Sequence, residues 1–322
     1  MSSPTSPSTI RPTSRSTSPG APPFALGYGT NGFTDHPLDV TLDVLAHEGY
    51  GAVALTLGHP HLDPFADDAD AQVARLRERL DDLGMRVVVE TGTRFLLDPF
   101  RKHHPTFLEP DEDLADVRVR FLCRAVEVAA GLRAECVSFF SGVLPAGTTA
   151  EAGWERLLAR VPRVVAHARE HGVRIALEPE PGMLVETVGD ALRLREDVGS
   201  PAELGVTVDL GHCVVVEPDG VRGALLAAAP HLLNVQVDDM RHTAHEHLPF
   251  GDGELDLSLA LGTLGEIGYT GVAAVELPRH SYDAPGLARR SMTAMTEAWA
   301  AWSATDQTSS TTTASAPQEA LR

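Results

Sequence analysis

The sequence predicts a single (β/α)8 TIM barrel over residues 24–303, flanked by disordered tails at 1–23 and 304–322. Eight short, near-continuous apolar runs alternate with eight helical patterns, as in a parallel sheet whose crossovers are helices. A glycine followed by an apolar or aromatic residue recurs between helix and strand, at Gly49-Tyr50, Gly84-Met85, Gly172-Val173 and Gly268-Tyr269. Glycine just past the last helical turn is the expected stop. Four successive runs between residues 173 and 277 end on groups able to hold a cation, and in this fold functional groups gather where the strands end.

Taken in order, the first strand is expected at 24–30 and its helix at 38–48. A strand at 52–57 precedes a helix at 69–83. A strand at 86–90 opens into a polar loop, 91–112, which is long for a plain connection and reads as a lid or a surface excursion. A helix at 114–130, a strand at 136–141 and a helix at 150–170 follow. The remaining strands fall at 173–178, 204–209, 232–237 and 272–277. Their helices fall at 188–197, 221–229, 256–267 and 286–302. Trp154, Trp299 and Trp302 lie on helices and are expected to pack. The ends are rich in Ser, Thr and Pro and bury too little apolar surface to order themselves.

Composition narrows the function. The chain has 322 residues, 43% of them hydrophobic, and a net charge of -19. A nucleic-acid surface would be basic, so no nucleic-acid partner is expected. No apolar run reaches a membrane span, and the N-terminus lacks an apolar leader. Cys123, Cys136 and Cys213 have no paired spacing and read as thiols of a reducing, cytoplasmic compartment. Gly27-Tyr28-Gly29-Thr30-Asn31-Gly32 matches a dinucleotide fingerprint, but the second strand ends Thr56-Leu57-Gly58 without the ribose-binding acid, so a turn is expected there. Lys102, the only lysine, lies in a loop, which argues against Schiff-base chemistry. No Gly-x-Ser-x-Gly elbow is present.

The strand ends carry the chemistry. Glu178, Asp209 and Glu276 offer carboxylates and Gln236 a neutral oxygen. A buried charge at a strand end needs a partner to offset desolvation. One acid alone would cap a helix or pair with an arginine; four strand ends in succession point to one divalent metal. Oxygen-rich ligands favour Mn²⁺ first, then Mg²⁺, with Co²⁺ or Zn²⁺ as alternatives. His59 and His61 follow strand two, His103 and His104 lie in the long loop, and His242, His245 and His247 follow strand seven. Any of these could be ligands, substrate contacts or solvated loop residues.

The motifs Ala176-Leu177-Glu178-Pro179, Val208-Asp209-Leu210-Gly211-His212 and Asn234-Val235-Gln236-Val237-Asp238-Asp239 occur in that order. They are followed by the stretch from His247 to Asp256 and by Ala274-Val275-Glu276-Leu277. Together they resemble the xylose-isomerase-like barrels, the sugar phosphate isomerase/epimerase superfamily, over residues 24–302. The resemblance implies that Glu178, Asp209, Gln236 and Glu276 are the metal ligands. It makes Glu178 and Glu276 the catalytic acid/base pair, facing each other across the barrel mouth. It places His212 and Arg241 at the substrate, and His247 joins them as a binding candidate. The chain departs from the family where Asn234 and Gln236 stand in a commonly His-x-His pattern; some lyase members also use glutamine there. The expected activity is metal-dependent isomerisation or epimerisation of a sugar, sugar phosphate or cyclitol through an enediolate, and a homo-oligomer is compatible with it. A dehydratase acting on a keto-cyclitol is the alternative. An AP-endonuclease-like phosphodiesterase would need histidines on strands three and four, which end instead on Glu90 and on Phe140-Ser141. A non-catalytic barrel would have no need of intact groups at all four strand ends.

Overall fold

In the barrel sequence, alternate strand residues are small on one face and branched on the other, and this decides how the sheet closes. A computed structural model describes residues 20–312, with side chains described to Thr305. Of the tails expected at 1–23 and 304–322, residues 1–19 and 313–322 lie outside the described residues.

The strands are β1 (Ala25–Gly29), β2 (Ala52–Thr56), β3 (Arg86–Glu90), β4 (Val137–Phe140), β5 (Ile175–Glu178), β6 (Leu204–Asp209), β7 (Leu232–Val237), β8 (Asp239–Arg241), β9 (Ala244–Leu248) and β10 (Val272–Val275). The helices are α1 (Leu38–His47), α2 (Ala69–Leu83), α3 (Glu112–Leu132), α4 (Ala150–Glu170), α5 (Val188–Asp197), α6 (Leu210–Val216), α7 (Gly220–Ala228), α8 (Leu257–Glu266) and α9 (Ala284–Thr312). Strands β1 to β7 and β10 form a closed parallel barrel in chain order, with β10 pairing back onto β1. The (β/α)8 expectation is met.

Small residues fill the barrel interior: Ala52, Ala54, Val88, Cys136, Ala176, Val272 and Ala274 form one buried cluster. Their strand neighbours Val53, Leu55, Val87, Val89, Ile175, Leu177, Ala273 and Val275 belong to the larger cluster that packs the helices. Period-two alternation therefore assigns every strand residue to one layer or the other. The helix-to-strand glycines Gly49, Gly84, Gly172 and Gly268 all have positive φ, between 63° and 93°, the left-handed stop that their spacing predicts.

Three elements differ from expectation. Helix α6 starts directly after β6, because the Asp209 side chain accepts the His212 backbone N–H at 2.8 Å and caps it at once. The stretch after β7 folds into the antiparallel hairpin β8–β9. The last helix continues to Thr312, past the 302 limit read from the sequence. Its tryptophans pack as expected. Trp302 covers Gly262 of α8, where a Cβ would lie 2.2 Å from the indole, and Trp299 meets Phe24 edge-on at 5.6 Å. No helix among the described residues is long and apolar enough to cross a membrane.

Candidate active site

The layer rule that fills the barrel also aims its acids. Glu90, Asp209 and Gln236 end or nearly end their strands two positions beyond the interior residues Val88, Thr207 and Asn234. Glu178 and Glu276 stand two beyond Ala176 and Ala274 in the same way. Five polar side chains thus follow the inward face to its upper rim. Neighbouring registers bring them level: Asp209 pairs with Gln236, and Gln236 with Ala274, the residue two before Glu276.

Glu90, Glu178, Asp209, Gln236 and Asp238 are buried, and Glu276 is half-buried. Few partners reach them. Ser138 Oγ donates to Glu178 Oε2 at 3.2 Å, and Asn31 Nδ2 to Glu276 Oε1 at 2.8 Å. Gln236 Nε2 donates to Glu90 Oε2 at 3.1 Å. Left without any hydrogen-bond partner are Asp209 Oδ2, Gln236 Oε1 and Glu276 Oε2, along with Glu90 Oε1 and Asp238 Oδ1. Native proteins rarely leave so many buried polar atoms together unless something else meets them.

The electrostatics follow. Burial first, then repulsion from Glu180, Glu276, Glu90 and Asp209, raises Glu178 well above the carboxylate range. Burial and then Glu90, Asp209 and Glu180 do the same to Glu276, against the Asn31 hydrogen bond. Burial lifts Glu90 to about 7, although the hydrogen bond from Gln236 opposes the shift. Asp209 goes the other way: burial would raise it, but the His212 and His247 rings and the His212 N–H outweigh that and lower it. A cation would relieve this crowding of acids.

A cavity of about 310 Å³ opens over the rim, at the small end of the ~300–1,000 Å³ usual for ligand sites. Its lining includes Glu90, Glu178, Gln236 and Glu276 with His212, His245 and His247. His212 Nδ1 meets the Pro179 carbonyl at 3.1 Å, and its Nε2 lies 3.0 Å from His245 Nε2. Ligand atoms of Glu178, Asp209 and His212 lie within 4.8 Å of one another, as do those of Asp209, Asp238 and His247. His247 Nδ1 forms a very short contact with Asp238 Oδ2. Gly211 lets Asp238 approach: a Cβ there would sit 2.1 Å from Asp238 Oδ1. Asp239 binds no cavity group. Its carboxylate accepts the N–H groups of Gly251, Gly253 and Leu255 at 2.8–3.0 Å, which clasps the loop of the His247–Asp256 motif.

The structure therefore brings Glu178, Gln236, Glu276, His212 and His247 together around one cavity, with the Asp209 carboxylate within 4.8 Å of ligand atoms of Glu178 and His212. Glu178 and Glu276 stand three strand positions apart in the eight-stranded barrel, with β6 and β7 between them. Arg241 is not among them. Its side chain is 52% exposed and pairs with Glu246 at 2.6 Å, because the hairpin turns it outward. The basic groups that line the cavity are Arg94, Lys102 and Arg279. His59 pairs with Asp63, His61 with the His36 carbonyl and His242 with the Val214 carbonyl, all away from the cavity. The long loop after β3 does lie over the site, through Thr91, Gly92, Arg94, Lys102 and His103. Sequence reading missed Glu90 and Asn31 as holders of Gln236 and Glu276. The inward period of β3 was a legible sign for Glu90; nothing local announces Asn31. The fingerprint-like run around Asn31 forms a short 3-10 turn after β1, as read.

A (β/α)8 barrel with an acid-lined cavity at the strand ends defines a class, and the family follows from comparison. The chain belongs to the xylose isomerase-like TIM barrel family, whose model matches residues 42–298. An uncharacterised protein of Methanocaldococcus jannaschii is 27% identical over 184 residues, 55% of this chain and 62% of that protein. The chain thus spans less than two thirds of that relative. A solved L-ribulose 3-epimerase superposes with a TM-score of 0.72 at 18% identity, covering 92% of this chain and all of that one. A D-allulose 3-epimerase from Methylomonas sp., in complex with D-allulose, gives 0.67 at 17% identity over 86% and 98% of the two chains. The IolI protein with a bound zinc atom gives 0.69 at 16% over 87% and 99%. At these identities the likeness establishes the shared fold.

Proposed function

We propose that this protein is a metal-dependent isomerase or epimerase of a sugar, sugar phosphate or cyclitol. One divalent ion, Mn²⁺ foremost, would be held by Glu178, Asp209, Gln236 and Glu276. The observation that carries the reading is the set of unpartnered buried oxygens, Asp209 Oδ2, Gln236 Oε1 and Glu276 Oε2, on three of those four residues. Three carboxylates and an amide oxygen suit a hard cation. The likeness in fold to sugar epimerases and to IolI agrees with it.

When bound, the ion supplies positive charge that stabilises an oxyanion and acidifies the neighbouring C–H. The residues divide the remaining work. Ser138 holds Glu178 by Oε2 and Asn31 holds Glu276 by Oε1. Glu276 Oε2 is left without a hydrogen-bond partner, and Glu178 Oε1 has only the His212 ring 3.9 Å away. One glutamate takes the proton from the carbon beside the carbonyl, and the other returns a proton from its own side. His247, braced by Asp238 through Nδ1, keeps Nε2 for a substrate oxygen, and His212, anchored through Nδ1 on Pro179, would meet one through Nε2 by exchanging its contact with His245. The loop over the cavity limits water.

Metal content and exchange of the substrate α-hydrogen with solvent deuterium test this together. Mn²⁺-loaded protein should bind one ion per chain, and Asp209→Ala should bind none stoichiometrically. Glu178→Gln and Glu276→Gln should lose turnover while keeping metal, because glutamine retains an oxygen but accepts no proton. Near-wild-type rates in both metal-loaded variants would sink the carboxylate mechanism. A product lighter than substrate by one water would assign a dehydratase instead.

A further inference from the structure

The cavity mouth carries charges opposite in sign to its floor. Arg94 and Lys102 come from the loop after β3 and Arg279 from the turn after β10, and all three line the opening. Lys102 and Arg279 make no side-chain hydrogen bond or ion pair among the described residues. Arg94 donates only to the Pro278 carbonyl, which ties the loop to the turn bearing Arg279.

The chain holds 45 acidic side chains against 26 lysines and arginines. Most arginines among the described residues pair with an acid, although Arg156 and Arg195, away from the cavity, bind only carbonyl or hydroxyl oxygens. Arg101, next to Lys102, pairs with Asp98 at 2.7 Å. Arg289 and Arg290, on the helix after Arg279, pair with Glu48 and Asp283. The cations around the opening stand close enough to feel one another: burial, then Arg94 and Arg279, pushes the Lys102 ammonium below its ordinary range. Behind the cavity wall, Arg118 is fully buried with its guanidinium carbon 4.4 Å from the Phe140 ring centroid. None of its three guanidinium nitrogens has a hydrogen-bond partner. Glu180, which also lines the cavity, is the acid whose charge bears on both Lys102 and Arg118. One carboxylate against four basic groups leaves an excess of positive charge on and behind this wall, which an anion between them would relieve.

We propose that the substrate carries an oxyanion group, a phosphate ester or a carboxylate, at the end remote from Glu178 and Glu276, held by Lys102 and Arg279 with Arg94. This rests on the sugar isomerase/epimerase reading and narrows it to acidic sugars. The gradient from cationic mouth to acidic floor also orients such a molecule. Its anion is repelled by the carboxylates and drawn to the cations, so the carbonyl end enters first. Arginine and lysine both bind oxyanions through charge-assisted hydrogen bonds. A neutral ketose offers them only uncharged hydroxyl and carbonyl acceptors.

The test uses Mn²⁺-loaded protein and two sets of probes. In the first, α-hydrogen exchange in deuterated buffer is followed by NMR for D-fructose, D-fructose 6-phosphate and D-fructuronate, which are neutral, phosphorylated and carboxylated versions of one skeleton. In the second, binding without turnover is measured calorimetrically for D-glucitol, D-glucitol 6-phosphate and D-gluconate. An acidic member is expected to exceed its neutral analogue about tenfold or more in kcat/KM or affinity, and which acid does so separates phosphate from carboxylate. In Lys102→Ala and Arg279→Ala that ratio should fall towards one; Lys102→Arg should restore much of it. Tighter, Lys102-dependent binding of an acidic polyol with no exchange on any ketose would uphold the anion site and reject the isomerase reading. Equal binding of acidic and neutral polyols, or acidic preference undiminished in both variants, would overturn the anion site whatever the reaction.

Discussion

Gln236 donates its amide nitrogen to Glu90 Oε2 at 3.1 Å across the barrel interior, although 146 residues separate them. The bond fixes which end of the amide faces the acids: the nitrogen is committed, and Oε1 is left without a partner. Removing the acceptor frees the amide to turn. Glu90→Ala is expected to weaken Mn²⁺ binding about 10-fold, in the range for groups that orient metal ligands. Glu90→Gln should lose less, because its amide oxygen still accepts. Calorimetric titration of both variants decides the matter; wild-type affinity in Glu90→Ala would mean that Gln236 needs no such brace.

Asn31 does the equivalent service for Glu276, with Nδ2 on Oε1 at 2.8 Å. It is also the one hydrogen bond that opposes the upward shift of that carboxylate. Asn31→Ala should lower the α-hydrogen exchange rate roughly 10-fold with circular dichroism unchanged. Asn31→Asp should be worse, since it adds another negative charge to the crowded rim. Equal rates in all three proteins would remove Asn31 from the site.

The Asp239 carboxylate holds three backbone N–H groups of one loop. Each charge-assisted bond to a buried group contributes about 1.5–3 kcal/mol. Asp239→Ala is therefore expected to lower unfolding free energy by roughly 3 kcal/mol or more, with amide exchange accelerated at Gly251, Gly253 and Leu255. Asp239→Asn should recover part of the loss. A urea midpoint unchanged in Asp239→Ala would show that the loop is held by other contacts.

His103 lies against Phe140, ring centroids 5.6 Å apart, and burial together with Lys102, Arg118 and Arg94 lowers it to about 3. An unfolded imidazole takes up its proton near 6.5. Between these values the unfolded state binds more protons, so stability falls as pH drops through that window. Wild-type protein should lose about 1–2 kcal/mol relative to His103→Gln between pH 6.5 and pH 5. Parallel urea titrations at the two pH values measure the difference; identical losses would show that the ring is solvated.

The sequence by itself determined the barrel, because hydrophobic period and helix stops are local. Each run of branched and small residues alternates at period two, the helices before Gly49, Gly84, Gly172 and Gly268 stop at or just before that glycine of positive φ, and both signals survive without any knowledge of neighbours. The same local period aimed Glu178, Asp209, Gln236 and Glu276 at one rim, since a side chain two places beyond an inward residue also points inward. Other features depend on distance through space. Arg241 was legible as a basic residue after strand seven, yet a three-residue strand pairing with its neighbour turned it to solvent. Glu90 and Asn31 reach their partners across 146 and 245 positions. The cationic mouth joins a loop after β3 to a turn after β10. Such pairings exist only once the barrel has closed, because closure is what places the ends of distant strands within hydrogen-bonding reach.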